Sequence, residues 1–156
     1  MLGCVQLKAP QLENLYQKLT PEVDPLHEYA WVLTAGDYRT TVYLFNINNQ
    51  QYFANDSGDI VLIKGQVITE IRQLAGLTDT IKIQDINAQL RRQLVNNTLY
   101  ESQSCNAWTT NNNITYTQVC KGAEQMVSTA SYKNGQMVYL KQPISYLKRF
   151  IELTKQ

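Results

Sequence analysis

From residue 29 to residue 71 the chain alternates between apolar and polar positions with a period of two. The alternation begins with Tyr29, Trp31 and Leu33, and short polar segments rich in Gly, Asn and Asp interrupt it. A period of two is typical of strands with one buried face, and the interrupting residues are typical of tight turns. The pattern therefore predicts four or five short strands joined as an antiparallel meander.

Further strands are predicted in the C-terminal third of the chain. Residues 114–119 alternate as a strand, and residues 125–132 and 136–140 flank Asn134-Gly135. Asn-Gly is the strongest short hairpin signal, because both positions of the turn require a positive φ. Residues 143–155 fit the apolar face of a helix and also the alternation of a strand, so periodicity leaves both structures open.

Two other segments predict helices. Residues 12–19 carry apolar side chains at helical spacing. In residues 85–99, apolar side chains recur every four positions from Ile86 to Leu94, and Asp85 precedes them as a candidate N-cap. We therefore expect one short helix before the strands and another in the middle of the chain.

The expected fold class is mainly β (α+β), an antiparallel meander sheet, sandwich or barrel-like domain with one or two short helices. Residues 1–25 are expected to be an N-terminal lipidated tether with a short helix, and residues 26–156 a single β-rich domain. Net charge is +1, which does not provide the basic field of a nucleic-acid-binding protein. No apolar run approaches the roughly 20 residues that span a bilayer.

The N-terminus carries a candidate lipidation site. Leu2-Gly3-Cys4 looks like the end of a lipobox, in which a small residue precedes the acylated cysteine. The basic and apolar parts of a signal peptide do not precede it, and we expect that they were cut away. Cys4 would then carry the lipid, which would include a palmitate chain. Val5 follows it, and without an Asp there the outer membrane is the expected location. The alternative is an ordinary free cysteine near the terminus.

The other two cysteines are candidates for a disulfide. Cys105 and Cys120 flank a polar stretch rich in Asn and Thr, and three cysteines divide into one lipidated and two paired. That division requires an oxidising compartment such as the periplasm. The alternative is two unpaired thiols in a reducing cell. A metal site is not expected, since His27 is the only histidine and no Cys-x-x-Cys spacing occurs.

Two patches of the chain, residues 52–71 and 132–142, resemble the GfcB/YjbF-type bacterial lipoproteins. In that family an aromatic strand leads into a small-residue turn, an apolar strand and a second glycine turn, here Ser57-Gly58 and Lys64-Gly65. The family's second hairpin ends in a Gln, as this one does at Gln142, and a final strand follows it. The resemblance therefore favours a strand over residues 149–154, although residues 79–121 have no counterpart in it.

The family is associated with capsule and exopolysaccharide export. The resemblance implies a non-enzymatic outer-membrane lipoprotein that faces the periplasm and needs no cofactor. Its expected partners are the export machinery or the polysaccharide itself, and the membrane through the lipid. A generic envelope protein-binding module, such as an assembly factor or inhibitor, is the main alternative. An unrecognised hydrolase is the third, for which no nucleophile motif or other catalytic residue is evident.

Aromatic side chains are the candidate binding residues. Trp108, inside the cysteine loop, Tyr116 and Tyr52 are expected to contact a glycan or a partner, because flat rings stack on sugar faces. Strands also favour Tyr and Trp for packing alone.

Two charged groups have weaker functional interpretations. Asn55, Asp56 and Asp59 could bind calcium, although a plain hairpin turn accounts for them. Arg91-Arg92 with Lys148-Arg149 could meet an acidic polymer or lipid head groups, although solvated faces account for them as well.

Overall fold

The computed structural model describes residues 29–156, which form thirteen strands and two 3₁₀ turns. The strands are β1 (Ala30–Ala35), β2 (Tyr38–Ile47), β3 (Gln50–Ala54), β4 (Ile60–Lys64), β5 (Val67–Arg72), β6 (Ile81–Asp85), β7 (Leu90–Val95), β8 (Thr98–Cys105), β9 (Thr109–Thr110), β10 (Thr115–Lys121), β11 (Gln125–Lys133), β12 (Gln136–Ile144) and β13 (Arg149–Lys155). The 3₁₀ turns are Leu74–Gly76 and Ser145–Leu147. The predicted tether, with its helix and Cys4, lies outside the described residues.

Twelve of these strands close into an antiparallel barrel, which confirms the predicted β-rich, barrel-like fold. Each strand from β1 to β8 pairs with the next, β8 pairs with β10, β10 to β13 follow in order, and β13 pairs with β1. β9 adds to β10 beside the ring. Closure gives each of the twelve strands a partner on both sides. Two joins are narrow, with two residue pairs each: β5 to β6, and β8 to β10, where Cys105 pairs with Cys120 and Ser104 with Lys121.

The apolar core fills the barrel interior between β1–β6 and β11–β13. Alternate residues of each strand point inward, and side chains such as Leu33, Phe53, Leu140 and Leu153 are fully buried there. β4 is buried on both faces, because its outward side chains join a second cluster around Phe45 on the outside of β2–β4. Most outward positions elsewhere are exposed or half-buried, which explains the period-two pattern in the sequence.

Polar side chains fill the other side of the interior, and they are hydrogen-bonded. The Arg91 guanidinium donates to Asp85 Oδ1 at 2.7 Å and to Gln118 Oε1 at 2.9 Å. The Gln142 side chain bonds the backbone of Ile68 in both directions, accepting from its N–H at 2.8 Å and donating to its carbonyl at 3.4 Å. Because buried polar groups are tolerated only when paired, this network ties the two sides of the barrel together.

The predicted helix over residues 85–99 is wrong. The segment contains the end of β6, all of β7 and the start of β8, with a turn at Asn96 and Asn97, whose φ angles of 49° and 65° are left-handed. A spacing of four residues also keeps side chains on one face of a strand, so Leu90 and Leu94 share the outer face of β7. The inner face carries Arg91 and other polar residues, which hid the strand pattern.

The C-terminal predictions are confirmed. β11 and β12 form the hairpin around Asn134 and Gly135, both with positive φ, and the ambiguous last segment is a 3₁₀ turn followed by strand β13. Within residues 29–156, no helix is long and apolar enough to cross a membrane.

Candidate functional site

One end of the barrel opens into a cavity of about 910 Å³, here called the barrel-end cavity. The turn between β2 and β3, the turn between β4 and β5, and the turn between β11 and β12 surround it. Tyr29, which precedes β1, and Lys155, at the end of β13, complete the wall. Tyr29, the first described residue, therefore lies at this end of the barrel.

The floor of the cavity is apolar and continuous with the core. Trp31, Phe53 and Ile63 line it while being at most 2% exposed, and Tyr132 and Met137 pack beside them. The rings of Trp31 and Phe53 meet edge to face, with centroids 4.9 Å apart and an interplanar angle of 77°. Side chains held by core packing cannot swing away, so the floor is a preformed surface.

Tyr132 places a phenol at the edge of this floor. Its ring meets that of Tyr116 edge to face, with centroids 5.6 Å apart. Burial, and secondarily the neighbouring Tyr116 phenol, raises the pKa of Tyr132 above its ordinary value of 10.0. The hydroxyl is therefore protonated at neutral pH and presents both a donor and an acceptor.

Five amide side chains surround the mouth of the cavity: those of Asn46, Asn48, Asn49, Gln51 and Gln136. None of the five makes a side-chain hydrogen bond to another residue of the described part of the chain. The buried amides deeper in the barrel differ, because their donors and acceptors are used within the protein. Each rim amide thus keeps donors and acceptors available for a ligand or for water.

Comparison with known proteins gives a structural likeness only. No family model matches the chain, and no curated protein matches it. The crystal structure of the hypothetical lipoprotein YmcC from Escherichia coli (K12) superposes with a TM-score of 0.61 at 13% identity, covering 96% of this chain and 95% of that one. This chain has a fold similar to that of YmcC. At this identity the likeness to YmcC concerns the fold, and the two sequences share too little to transfer residue roles.

The three aromatic residues singled out from the sequence do not form one face. Tyr116 lies one ring away from the cavity, through Tyr132, and Trp108 packs partly buried against the core. Tyr52 points outward from β3 in the outer cluster and is only 7% exposed. Its ring face is therefore not available for stacking, a correction to that expectation that follows from burial on both faces of β3.

Trp31 and the rim amides were not singled out from the sequence. Trp31 was one aromatic residue among many in the alternating pattern, and closure of the barrel is what places it beside Tyr132. The available signal was the cluster of amides on both sides of the Asn48-Asn49 turn. In the sequence, a tight turn alone is enough to explain Asn48 and Asn49.

The structure joins Cys105 to Cys120, whose Cα atoms are 4.0 Å apart. The bond links β8 to β10 at one of the two narrow joins of the barrel. Asn106 extends this join, because its N–H donates to the Val119 carbonyl and its side-chain oxygen accepts from the Val119 N–H, both at 3.0 Å. The disulfide therefore staples two strands of the wall and not only an irregular loop.

The candidate calcium ligands are engaged in a turn. Asp59 is 1% exposed and accepts hydrogen bonds from the Tyr38 hydroxyl at 2.6 Å, the Asn55 amide at 2.9 Å and the Ala75 N–H at 2.7 Å. Asn55 uses its own oxygen to accept from the Asp59 N–H. These oxygens hold the β3–β4 connection together. Among the described residues, no group of three His, Cys, Asp or Glu side chains could hold a metal ion.

The candidate basic patch is also corrected by the structure. Arg91 is 4% exposed and points into the barrel, where it is ion-paired with Asp85. It cannot contact a polymer outside the wall. Lys148 and Arg149 lie at the opposite end of the barrel from the cavity, after the turn Ser145–Leu147.

A second surface feature lies at that opposite end. A cleft of about 770 Å³ is lined by Tyr100, Val127 and Phe150, which are 47%, 40% and 43% exposed. Glu101 and Glu124 stand beside it together with the basic residues just named. Exposed apolar side chains with mixed charges around them are typical of protein-contact surfaces.

Proposed function

We propose that this chain is a lipid-anchored, non-enzymatic protein of the bacterial cell envelope that assists the export of a capsule or exopolysaccharide. It would act by binding the polymer weakly at the barrel-end cavity and by contacting the export machinery. The observation that carries the proposal is the cavity itself, in which an aromatic floor is surrounded by amides with free hydrogen-bonding groups.

The chemistry of that lining suits a saccharide. The C–H face of a sugar ring packs on half-buried aromatic side chains such as Tyr29 and Tyr132, while its hydroxyls both donate and accept hydrogen bonds. Amides offer both functions, which matches hydroxyl groups better than carboxylates or ammonium groups alone. Binding sites of this kind commonly measure roughly 300–1,000 Å³, and the cavity is within that range.

Anchoring is supported by the sequence and by the structural likeness. Leu2-Gly3-Cys4 has the form of a lipobox end, and the structurally similar YmcC is described as a lipoprotein. Because the chain enters the barrel at Tyr29, a lipid on Cys4 would connect to the end that carries the cavity. We propose the outer membrane, with the barrel facing the periplasm, since no Asp follows Cys4.

The alternative function is a protein-binding module of the envelope unrelated to polysaccharide. The cleft at the opposite end favours it, because Tyr100, Val127 and Phe150 expose apolar side chains side by side there. Both proposed functions are non-enzymatic, and they differ in what the barrel binds: a polysaccharide in the first and another envelope protein in the second.

Complementation of a clean deletion strain tests the proposal. We expect surface polymer to fall on deletion, wild-type protein to restore it, and Cys4→Ser to fail because the unanchored protein leaves the membrane. Immunoblots of periplasm and membrane fractions would establish that both forms accumulate equally, and Ser57→Ala in an exposed turn serves as the control substitution. Unchanged polymer after deletion would contradict the export role. Full activity of Cys4→Ser would contradict the anchor.

A further inference from the structure

Two buried polar atoms lack a hydrogen-bond partner in the described part of the chain, and both lie at the cavity end. They are the indole Nε1 of Trp31, on the cavity floor, and Oε1 of Gln66. Gln66 follows Gly65, which lines the cavity. Leaving a buried donor or acceptor unpaired is costly, so each such group calls for an explanation, and a bound ligand is one.

The charge around the cavity has one sign. Lys64 and Lys155 line it, and none of the lining residues in residues 29–156 is Asp or Glu. Neither lysine belongs to an ion pair within the described residues. The cleft at the opposite end differs, because Glu101 and Glu124 accompany its basic residues. Among residues 29–156, the lining of the cavity is therefore positively charged without a compensating carboxylate.

The strand register aligns one of these charges with the floor. Lys155 pairs with Trp31 across β13 and β1, so both side chains lie on the same face of the sheet. Lys64 ends β4, immediately after Ile63 of the floor. A ligand in the cavity therefore has Lys155 on the face of the floor, whereas alternation along β4 directs Lys64 away from Ile63 and leaves it at the rim.

From these contacts we infer that the barrel-end cavity binds an anionic saccharide, that is, a sugar bearing a carboxylate or a phosphate. The ring packs on Tyr132 above the apolar floor, hydroxyls meet the rim amides, and the negative group lies beside Lys155, with Lys64 at the rim. The inference rests on the proposed saccharide function and specifies its substrate class. A neutral polymer would leave both lysines without a partner, and an acidic one gives them a charge to neutralise.

Titration calorimetry with two matched ligands tests the inference: short oligogalacturonides and the same oligosaccharides as methyl esters, which lack the charge. We expect the acidic form to bind more tightly, and its affinity to fall at about 1 M NaCl, where the Debye length is about 3 Å. Each of Lys64→Gln and Lys155→Gln should weaken acidic binding by roughly two- to fivefold, as expected for exposed charge pairs. Lys133→Gln, an exposed lysine at the same end that does not line the cavity, should change little.

The outcomes separate the inference from the function on which it rests. Equal binding of both ligands, insensitive to salt and to the lysines, would overturn the anionic assignment and leave the saccharide site intact. Binding of neither ligand would overturn the cavity as a saccharide site, while the deletion strain reports on the export role independently. Both lysines are exposed, so the variants are expected to fold, and their thermal denaturation provides the check.

Discussion

Removing the Cys105–Cys120 disulfide is expected to lower the free energy of unfolding by about 3 kcal/mol, the chain-entropy value for a loop of this length. The bond lies where β8 meets β10 through two residue pairs, and the hydrogen bonds of Asn106 to Val119 are the other contacts described at this join. Arg91 places Nη1 3.6 Å from Cys120 Sγ, which makes the seam part of the interior polar network. For a chain of this size the melting temperature should fall by roughly 6–12 °C.

Urea denaturation of Cys105→Ser/Cys120→Ser, in a Cys4→Ser background, measures this loss. The Cys4→Ser protein with its disulfide intact is the control, and the same protein with reductant should approach the double variant. An unchanged midpoint would show that β8 and β10 stay joined without the bond, and that the disulfide does not stabilise the closed barrel.

Replacing Asp59 by alanine is expected to destabilise the protein by roughly 3 kcal/mol, since three donors in a buried turn lose their acceptor. Those donors are the Tyr38 hydroxyl, the Asn55 amide and the Ala75 N–H, from three separate parts of the chain. Burial, and then the hydrogen bond to Asp59, also raises the pKa of the Tyr38 phenol above its ordinary value. In Asp59→Ala, the part of the raised Tyr38 pKa that comes from the hydrogen bond to Asp59 should disappear.

Chemical denaturation at neutral pH measures the effect, with Asp56→Ala as the matched control. Asp56 is an exposed neighbour in the same turn, and its loss should change stability by less than about 0.5 kcal/mol. If calcium stabilised the wild type and both variants abolished that stabilisation, the turn would be a metal site after all. Equal, small losses for the two variants would contradict the buried network.

The strands were predictable where one face is apolar and the other polar. β1 to β5 and the β11–β12 hairpin follow from alternation and from turn residues such as Asn48-Asn49 and Asn134-Gly135, which have positive φ. β7 was not predictable in this way, because its inner face carries Arg91 and Gln93 instead of apolar residues. Asn96-Asn97 repeats the turn chemistry of Asn48-Asn49, and it was the local signal that opposed a helix.

The cavity was less predictable than the strands. The sequence marks aromatic residues but not which of them share an end of the barrel, because that depends on the order in which strands pair around the ring. Trp31 and Tyr132 are 101 positions apart and meet at one cavity only after closure. Tyr52 is also an aromatic residue of a predicted strand. Its side chain faces outward from β3, but the outer cluster around Phe45 buries it.

The most direct test of the saccharide site uses the protein's two tryptophans, Trp31 and Trp108, whose indole N–H groups give separate signals in a ¹⁵N–¹H spectrum. Trp108→Phe would assign them. Fragments of the host strain's own surface polysaccharide, added stepwise, should shift the Trp31 signal and leave Trp108 in place. A shift at Trp108 alone, or at neither indole at saturating ligand, would contradict the barrel-end cavity as the binding site.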